Sequence, residues 1–359
     1  MSQIKLRSLP QAGDLIVGIR EAVAPATADF GRRALVMGAV ASAIAVAAPL
    51  PVNAGTYGDV TVISGKPRQI EAGVLNVGYY DAGPSTAPAV FLLHGFPYDV
   101  HSYIDVAPAL IRKGYRVIVP HLRGHGTTTF LENSTGRSGE QAAIGRDLID
   151  LMDALKIDQA IFAGYDWGGR AACVAAALWP ERCRGLISVN SYLIQNIATA
   201  VQPAPAKVER GFWYQFYLQT QRGRLGLERN RAEIARIMWR DNSPTWNFDE
   251  ETFQRSARSF DNPDYVDVVV HSYRHRLGGA PGFADYAKLE AMLALQPRII
   301  VPAVTLDGDS DGVVAATDGA ATDSKFAKRV HHIVRGVGHN VPQEAPDAFV
   351  EAIVQVGAM

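Results

Sequence analysis

The chain has 359 residues, of which 48% are hydrophobic, and its formal net charge is −1. This composition is typical of a globular protein with a large apolar core, and it argues against a disordered or fibrous chain. Because positive charge is not in excess, the composition also argues against a nucleic-acid partner.

The N-terminal residues 1–54 have the layout of an export signal. Arg32 and Arg33 precede a long Ala-rich run without charged residues, and the small residues Val52 and Ala54 suit cleavage by a signal peptidase. Paired arginines favour the twin-arginine route. The run is shorter than a membrane span and is interrupted by prolines, so we expect a periplasmic or secreted protein without stable membrane insertion. An uncleaved membrane anchor is the alternative.

After this segment, short apolar runs alternate with helical patterns. Runs rich in β-branched residues predict strands at 59–65, 75–83, 89–95, 115–124, 159–166, 184–190, 298–308 and 329–336. Helical patterns, such as those at 102–114 and 142–156, lie between most of them. Alternation of helices with continuously apolar strands is typical of a parallel sheet covered on both faces. The sequence therefore predicts an α/β fold.

Residues 193–290 interrupt this alternation. They are rich in Arg, Trp, Tyr and Phe, their patterns are helical, and they contain no convincing core strand. The simplest interpretation is a helical cap inserted into one sheet, between core residues 55–192 and core residues 291–359.

A sharp turn is predicted where the strand at 159–166 meets a helix. In parallel sheets, reactive groups lie at the carboxyl ends of the strands. The stretch from Gly164 to Gly168 matches the G-x-nucleophile-x-G elbow, with Asp166 in the place usually taken by serine. The N-terminus of the following helix favours an ionised carboxylate that can act as a nucleophile. The alternative is a buried turn carboxylate that caps the helix.

A second strand end faces the same edge of the sheet. The strand at 89–95 is followed by Phe96 and Pro97. The backbone N–H groups of Phe96 and Trp167 are candidates for an oxyanion hole, which would stabilise a negatively charged oxygen during the reaction.

Two late loops supply a base and an acid. His339 lies in a glycine-flanked loop after the last predicted strand, and Asp307, Asp309 and Asp311 follow the strand before it. The chain order of nucleophile, acid and base is that of an α/β-hydrolase triad.

The acidic loop also fits a calcium site. Its spacing matches an EF-hand loop, although a strand rather than a helix precedes it. The residues concerned are Asp307, Asp309, Asp311, Gly312 and Asp318.

Two weaker patterns remain. His271 and His275 have the i, i+4 spacing of a zinc-protease helix but lack its glutamate, so we expect no metal there. The two cysteines, Cys173 and Cys183, cannot form a disulfide scaffold, although a single bridge stays open in an oxidising compartment.

From about Gly73 to its C-terminus, the chain resembles the α/β-hydrolase superfamily, in the branch that uses an aspartate nucleophile. This branch includes epoxide hydrolases, haloalkane dehalogenases and haloacetate dehalogenases. The segments at 94–97 and 164–169 are similar to epoxide hydrolase motifs, with Tyr165 where those enzymes usually carry His.

The resemblance implies a mechanism and a set of site residues. Asp166 would attack carbon to form an ester, and His339, oriented by Asp311, would activate water to hydrolyse it. Asp311 is preferred to Asp309 because the family places its acid three residues after the glycine that ends the strand, here Gly308. The implied substrate is a small molecule, and neither a metal nor an organic cofactor is implied.

The predicted cap distinguishes between members of this branch. Tyr214 and Tyr273 lie in stretches similar to those around the two cap tyrosines of epoxide hydrolases, which donate hydrogen bonds to the epoxide oxygen. Packing between helices is the alternative role for both residues.

The dehalogenase motifs match less well. Haloacetate dehalogenases pair an arginine after the nucleophile with a second one three residues later, and this chain has Trp167 and Arg170. Haloalkane dehalogenases often have Asn where Phe96 lies, but share the Trp after the nucleophile. Trp167 and Arg170 are therefore candidate substrate-binding residues. We expect an epoxide hydrolase, with a dehalogenase or a non-catalytic binding protein as alternatives.

Replacing both Arg32 and Arg33 with lysine tests the predicted export route. Because twin-arginine export requires the arginine pair, the double variant should accumulate unprocessed in the cytoplasm. Cell fractionation and the intact mass of the chain measure this outcome. Delivery of the double variant to the periplasm at the wild-type level would exclude the twin-arginine route.

Overall fold

The computed structural model describes residues 62–359, which fall within a unit formed by Val52–Met359. The export signal predicted at residues 1–54 and the first part of the strand predicted at 59–65 lie outside the described residues. Within residues 62–359, no helix is both long and apolar enough to cross a membrane.

A single mixed sheet forms the centre of the described chain. Its strands are β1 (Arg68–Ala72), β2 (Leu75–Ala82), β3 (Ala89–Leu93), β4 (Arg116–Pro120), β5 (Thr129–Phe130), β6 (Ala160–Gly164), β7 (Cys183–Val189), β8 (Ile299–Gly308) and β9 (Phe326–Val334). Their order is β1-β2-β4-β3-β6-β7-β8-β9, with β5 paired to β2. Strands β1, β2, β4 and β5 meet in antiparallel pairs, whereas the pairs from β4 through β3 to β9 are parallel.

Helices cover both faces of this sheet. The core helices are α1 (Val106–Arg112), α2 (Gln141–Ala154), α3 (Asp166–Leu178), α11 (Val341–Glu344) and α12 (Pro346–Gly357). Helices α2 and α3 pack on one face, and α1 and α12 pack on the other. Every residue of β3 and β6 is buried, as expected for central strands covered on both sides. The predicted α/β fold is therefore confirmed.

The parallel register brings four strand ends to one edge of the sheet. Leu93 of β3 pairs with Gly164 of β6, which pairs in turn with Ser188 of β7. Val189 of β7 pairs with Leu306 near the end of β8. The loops that follow these strands therefore emerge side by side, which is where reactive groups gather in such sheets.

The prediction of a strand at 59–65 is wrong for residues 62–65, the part of it that the structure describes. Residues 62–65 form bends and coil, and the first strand begins at Arg68. Pro67 lies between the two segments; proline restricts its own backbone, lacks the N–H that a strand donates, and constrains the residue before it. The apolar pattern of this stretch instead reflects the burial of Val62 and Ile63 in the core.

Only helices and irregular segments lie between β7 and β8. The helices are α4 (Ala206–Gly211), α5 (Trp213–Tyr217), α6 (Gln221–Arg229), α7 (Arg231–Asn242), α8 (Glu250–Ala257), α9 (Tyr265–Arg276) and α10 (Ala287–Ala294). The absence of strands from 193–290 agrees with the sequence pattern, whereas the proposed boundaries of core and cap stay a prediction. We refer to the residues between β7 and β8 as the cap.

An aromatic contact attaches this cap to the loop after β3. The indole N–H of Trp239 on α7 donates a hydrogen bond to the carbonyl oxygen of Pro97 at 2.6 Å. The Trp239 ring also stacks on Tyr98, with ring centroids 4.9 Å apart. Trp239 and Tyr98 are fully buried, so this contact holds α7 directly beside one of the strand ends described above.

Candidate active site

The turn between β6 and α3 is too tight to hold side chains at its glycines. A Cβ atom on Gly168 would lie 1.9 Å from the carbonyl oxygen of Leu93, and one on Gly164 would lie 2.4 Å from the carbonyl carbon of Gly168. Asp166 itself has φ of +50°, a conformation that non-glycine residues adopt rarely and that is often found at functional sites. The sequence between the glycines therefore forms the predicted elbow, with the Asp166 side chain raised at the sheet edge.

Backbone N–H groups hold the Asp166 carboxylate. The N–H of Phe96 donates to Asp166 Oδ1 at 2.7 Å, and the N–H of Trp167 also bonds the carboxylate. Burial alone would raise the pKa of Asp166, but the hydrogen bond and positive charge of His339, together with these two N–H groups, bring the net pKa below its usual value. The group is thus an anion at neutral pH. The side chain remains 18% exposed.

His339 lies between two carboxylates. Its Nε2 is 3.7 Å from Asp166 Oδ2, and its Nδ1 is 2.8 Å from Asp311 Oδ2. Asp311 also accepts hydrogen bonds from the backbone N–H groups of Val313 and Val314 at 2.7 and 3.0 Å. The structure therefore brings together the three residues predicted as nucleophile, base and acid.

The charge of this triad favours a protonated imidazole. Burial would lower the pKa of His339, but the negative charge of Asp311 and the hydrogen bonds and charge of both carboxylates raise it to about 10. Burial would raise the pKa of Asp311, and the positive charge of His339 keeps it below its usual value. In the free protein, one proton is therefore held on His339 between two anions.

The carboxylates of the proposed calcium loop face different partners. Asp307 accepts from the N–H of Thr317, Asp309 from the N–H of Gly336, and Asp318 from the N–H of Ala320. No three of these acidic groups converge within the described residues. The EF-hand alternative is wrong for this loop, because an EF-hand requires a helix before the loop and strand β8 precedes it here.

Two buried tyrosines from the cap lie near Asp166. Tyr214 on α5 and Tyr273 on α9 have ring centroids 5.3 Å apart in an edge-to-face arrangement, and the Tyr214 hydroxyl accepts from the side-chain amide of Gln215 at 3.4 Å. Burial and the nearby Asp166 charge raise the pKa of Tyr214 to about 12. Burial, followed by the charges of Tyr214 and Asp166, also raises the pKa of Tyr273. Both phenols are therefore protonated donors at neutral pH.

The remaining predicted site residues take different positions. Trp167 stacks on Phe96 with centroids 5.3 Å apart, and its Nε1–H donates to the hydroxyl of Tyr273 at 3.2 Å. Arg170 donates to the carbonyl of Leu193 and to the side-chain oxygen of Gln141. These contacts link α3 to α2 and to the chain that enters the cap. Direct substrate contact by Arg170 thus stays a prediction.

Sequence reasoning missed two residues that position the triad. Asn190, directly after β7, donates its side-chain N–H to Asp311 Oδ2 at 3.1 Å. Ser243, at the end of α7, accepts the backbone N–H of His339 at 3.0 Å and donates to Glu344. A polar residue at the end of a parallel strand could have identified Asn190. Ser243 carries no comparable sequence signal, because only folding brings the cap to the His339 loop.

Both cysteines are free and buried. Cys173 lies in α3 and Cys183 begins β7. The Cys173 thiol instead contacts the hydroxyl oxygen of Ser188 at 3.4 Å. A bridge between the two cysteines is therefore not formed in this structure.

The chain matches a known family over most of its length. Residues 88–346 match the α/β-hydrolase fold family, and the fold and elbow described above are those of this family. The chain belongs to the α/β-hydrolase fold family.

Solved structures of other proteins are similar to this chain over most of its length. A Klebsiella pneumoniae protein proposed to be an epoxide hydrolase is 48% identical, covers 82% of this chain and 98% of its own, and superimposes with a TM-score of 0.81. Epoxide hydrolase A of Mycobacterium thermoresistibile shares the fold, at 22% identity, with 81% of this chain and 97% of its own covered and a TM-score of 0.63.

Curated relatives match over shorter segments. Mouse bifunctional epoxide hydrolase 2 is 30% identical over 209 residues, which are 55% of this chain and 34% of that protein. Epoxide hydrolase 2 of Siraitia grosvenorii is 32% identical over 120 residues, 33% of this chain and 37% of its own. The chain thus spans little more than a third of the length of these relatives.

Removing either carboxylate should lower the pKa of His339. In Asp311→Asn and in Asp166→Asn, the imidazolium loses one of its two anions, so it should release its proton at lower pH than in the wild type. An NMR titration of the His339 ring measures the change. Asp309→Asn is the matched control, because Asp309 faces Gly336 and the exposed Arg335 instead. An equal decrease in the control would contradict the assignment of Asp311 as the partner.

Proposed function

We propose that this protein hydrolyses epoxides to diols through a covalent ester on Asp166. The observation that supports the proposal is an anionic carboxylate close to two protonated phenols, with His339 beside it. An epoxide needs both a nucleophile at carbon and a proton donor at oxygen, and these residues can supply both. The relatives named above support the same activity.

In the first step, an Asp166 oxygen attacks a ring carbon and the carbon–oxygen bond of the epoxide breaks. Alkoxide is a strongly basic leaving group, so a proton from Tyr214 or Tyr273 must reach the epoxide oxygen as the ring opens. The products are a hydroxy ester of Asp166 and a phenolate. The indole N–H of Trp167 donates to the hydroxyl oxygen of Tyr273, and the amide of Gln215 donates to that of Tyr214; these donors would stabilise the phenolate.

In the second step, water hydrolyses the ester. Neutral His339 removes a proton from water, the hydroxide attacks the carbonyl carbon of the ester, and the diol leaves with Asp166 restored as carboxylate. The N–H groups of Phe96 and Trp167, which bond the carboxylate in the free protein, hold the negative oxygen of the tetrahedral intermediate.

The first step also prepares the base for the second. Ester formation removes the negative charge of Asp166, which is one of the causes that raise the pKa of His339. His339 therefore releases its proton more readily once the ester exists, and that proton can return to the phenolate. His339 is therefore neutral when the ester is to be hydrolysed, which is the step in which it must accept a proton from water.

The dehalogenase alternative has weaker support. A departing halide needs oriented N–H donors, and the indole N–H of Trp167 is already donated to Tyr273. The position after His94 and Gly95 is held by Phe96, which offers no side-chain donor. Assays of the purified protein with epoxides, haloalkanes, haloacetates and aryl esters separate these chemistries. Halide release without diol formation would favour a dehalogenase over an epoxide hydrolase.

A pocket on the cap is lined by residues that adjoin the two tyrosines, whereas neither tyrosine nor Asp166 forms part of its walls. Its volume is about 830 Å³, and its walls include Phe212, Gln215 and Arg276. Gln215 adjoins Tyr214, and the guanidinium of Arg276 lies 5.3 Å from the centre of the Tyr273 ring. We propose that substrates approach Asp166 from this side of the cap.

His339→Gln should trap the covalent intermediate. Attack by Asp166 does not require His339 to accept a proton, whereas activation of water does, so the ester should accumulate. The intact mass should increase by the mass of the added epoxide, and peptide mapping should place the increase on Asp166. Asp166→Asn, which lacks the nucleophile, should show no increase. Absence of an adduct in His339→Gln, with an epoxide that the wild type converts, would contradict the covalent mechanism.

Removing the hydroxyl groups of the cap tyrosines should slow ring opening. Proton donation is typically worth about 10²–10⁴-fold, so Tyr214→Phe and Tyr273→Phe should each lose part of the rate and the double variant should lose most. The loss should fall on ester formation, measured in a rapid-mixing burst, and spare ester hydrolysis.

Tyr217→Phe provides the control for this series. Tyr217 lies on the same helix as Tyr214, but its hydroxyl points toward Gly226, so its removal should leave ester formation at the wild-type rate. Wild-type ring opening by the Tyr214 and Tyr273 double variant would refute the role of these two phenols.

A further inference from the structure

A second cluster of ionisable side chains lies outside the proposed catalytic site. Glu140 immediately precedes α2, His275 lies near the end of α9, and Glu290 lies on α10. One possible ligand atom from each residue lies within 4.8 Å of the other two. Glu140 and His275 are buried, at 0% and 7% exposure, and Glu290 is partly buried.

Two polar atoms in this cluster lack partners among the described residues. Glu140 Oε1 accepts from the hydroxyl of Ser138 and the N–H of Phe283, but Oε2 has no hydrogen bond. His275 Nδ1 is likewise buried without a partner. His275 Nε2 lies 3.9 Å from Glu140 Oε2, which is beyond hydrogen-bonding distance. Buried polar atoms without partners are rare, and the proposal below concerns the unpartnered Glu140 Oε2.

Gly282 lies directly beside these two groups. A Cβ atom added to Gly282 would lie 2.8 Å from Glu140 Oε2 and 3.1 Å from His275 Nε2. Any side chain at this position would therefore crowd both polar atoms.

The cluster also lacks a compensating charge. Glu290 accepts from the N–H of Ala142 and from the side-chain amide of Gln141, and neither glutamate forms an ion pair with Lys or Arg in residues 62–359. A buried carboxylate such as that of Glu140 is costly unless a cation or enough hydrogen-bond donors lie beside it.

We propose that Glu140, His275 and Glu290 bind a divalent transition-metal ion, with Zn²⁺ as the best fit. Zn–N and Zn–O bonds are about 2.0–2.2 Å long, so one ion can bridge the 3.9 Å between His275 Nε2 and Glu140 Oε2. A small inward movement of Glu290 supplies the third bond, and water completes the coordination. One imidazole with two carboxylates favours such an ion over Ca²⁺, which prefers oxygen ligands alone.

The proposed ion would hold the cap on the core. Its ligands come from the start of α2 on one side and from α9 and α10 on the other. Tyr273 lies on the same helix as His275, two positions earlier, so the ion would fix the helix that carries one of the phenols. The role is structural, and no step of the proposed reaction passes through the metal.

Metal content and thermal unfolding of the purified protein test this site. After removal of metals with EDTA and dialysis, addition of Zn²⁺ should give close to one bound ion per chain by elemental analysis. At about a hundredfold excess over Kd, the melting temperature should rise by roughly 5 °C. Ca²⁺ at the same concentration should leave it unchanged.

Variants distinguish this site from general zinc binding. His275→Gln and Glu290→Gln should each lose both the bound ion and the rise in melting temperature. Gly282→Ala should do the same, because the methyl group would crowd Glu140 Oε2 and His275 Nε2. His271→Gln is the matched control, since that ring stacks on His275 but has both nitrogens paired with backbone groups.

Three outcomes would overturn the proposal. The first is a wild-type protein that takes up no Zn²⁺ and melts at the same temperature with or without it, which would leave an ion pair between His275 and Glu140. The second is an unchanged Zn²⁺ response in His275→Gln and Glu290→Gln. The third is stabilisation by Ca²⁺ but not by Zn²⁺, which would exclude a transition-metal site.

Discussion

The imidazole of His339 is held between the carboxylates of Asp166 and Asp311, and the geometry of the site depends on this contact. Each carboxylate comes from the end of a different strand, and His339 comes from the loop after β9. A buried anion is stable only when donors or a cation compensate it, and here one proton on His339 serves both anions. The same coupling makes the imidazole sensitive to the charge of Asp166. Any reaction that neutralises Asp166 therefore changes the basicity of its neighbour.

The cap contributes to the site in two ways. It supplies the buried phenols of Tyr214 and Tyr273, and burial raises the pKa of both groups so that they stay protonated at neutral pH. It also contacts the triad directly, because Ser243 accepts the backbone N–H of His339. The indole of Trp239, bonded to the Pro97 carbonyl, fixes α7 near the same loops. Movement of the cap would consequently alter the position of the base as well as that of the donors.

A second group of ionisable side chains lies at the junction of core and cap. Glu140 and Glu290 lie near His275 without a basic side chain to compensate them in the described residues. The proposed cation would compensate the negative charge of these carboxylates and connect helices that lie together only in the folded state. Gln141, adjacent to Glu140, also contacts Arg170 on the helix that begins with Asp166. The proposed metal site is thus connected by side chains to α3, although it lies outside the triad.

The sequence by itself determined the α/β fold, most strands and the elbow at Asp166, because these depend on local periodicity and on short motifs rich in glycine. It also placed Asp166, three candidate acids and His339 in the order of a triad; the family resemblance favoured Asp311, and the folded chain brings Asp166, Asp311 and His339 together. The local pattern gave a wrong prediction in two places. Val62 and Ile63 are apolar without forming a strand, and the spacing of the acidic residues suggested a calcium loop.

Only the tertiary structure decided the antiparallel edge of the sheet, the support of His339 by Ser243 and the convergence of Glu140, His275 and Glu290. The members of each group are far apart along the chain. Their contacts follow from how the cap packs on the sheet, a long-range packing choice that no local pattern encodes.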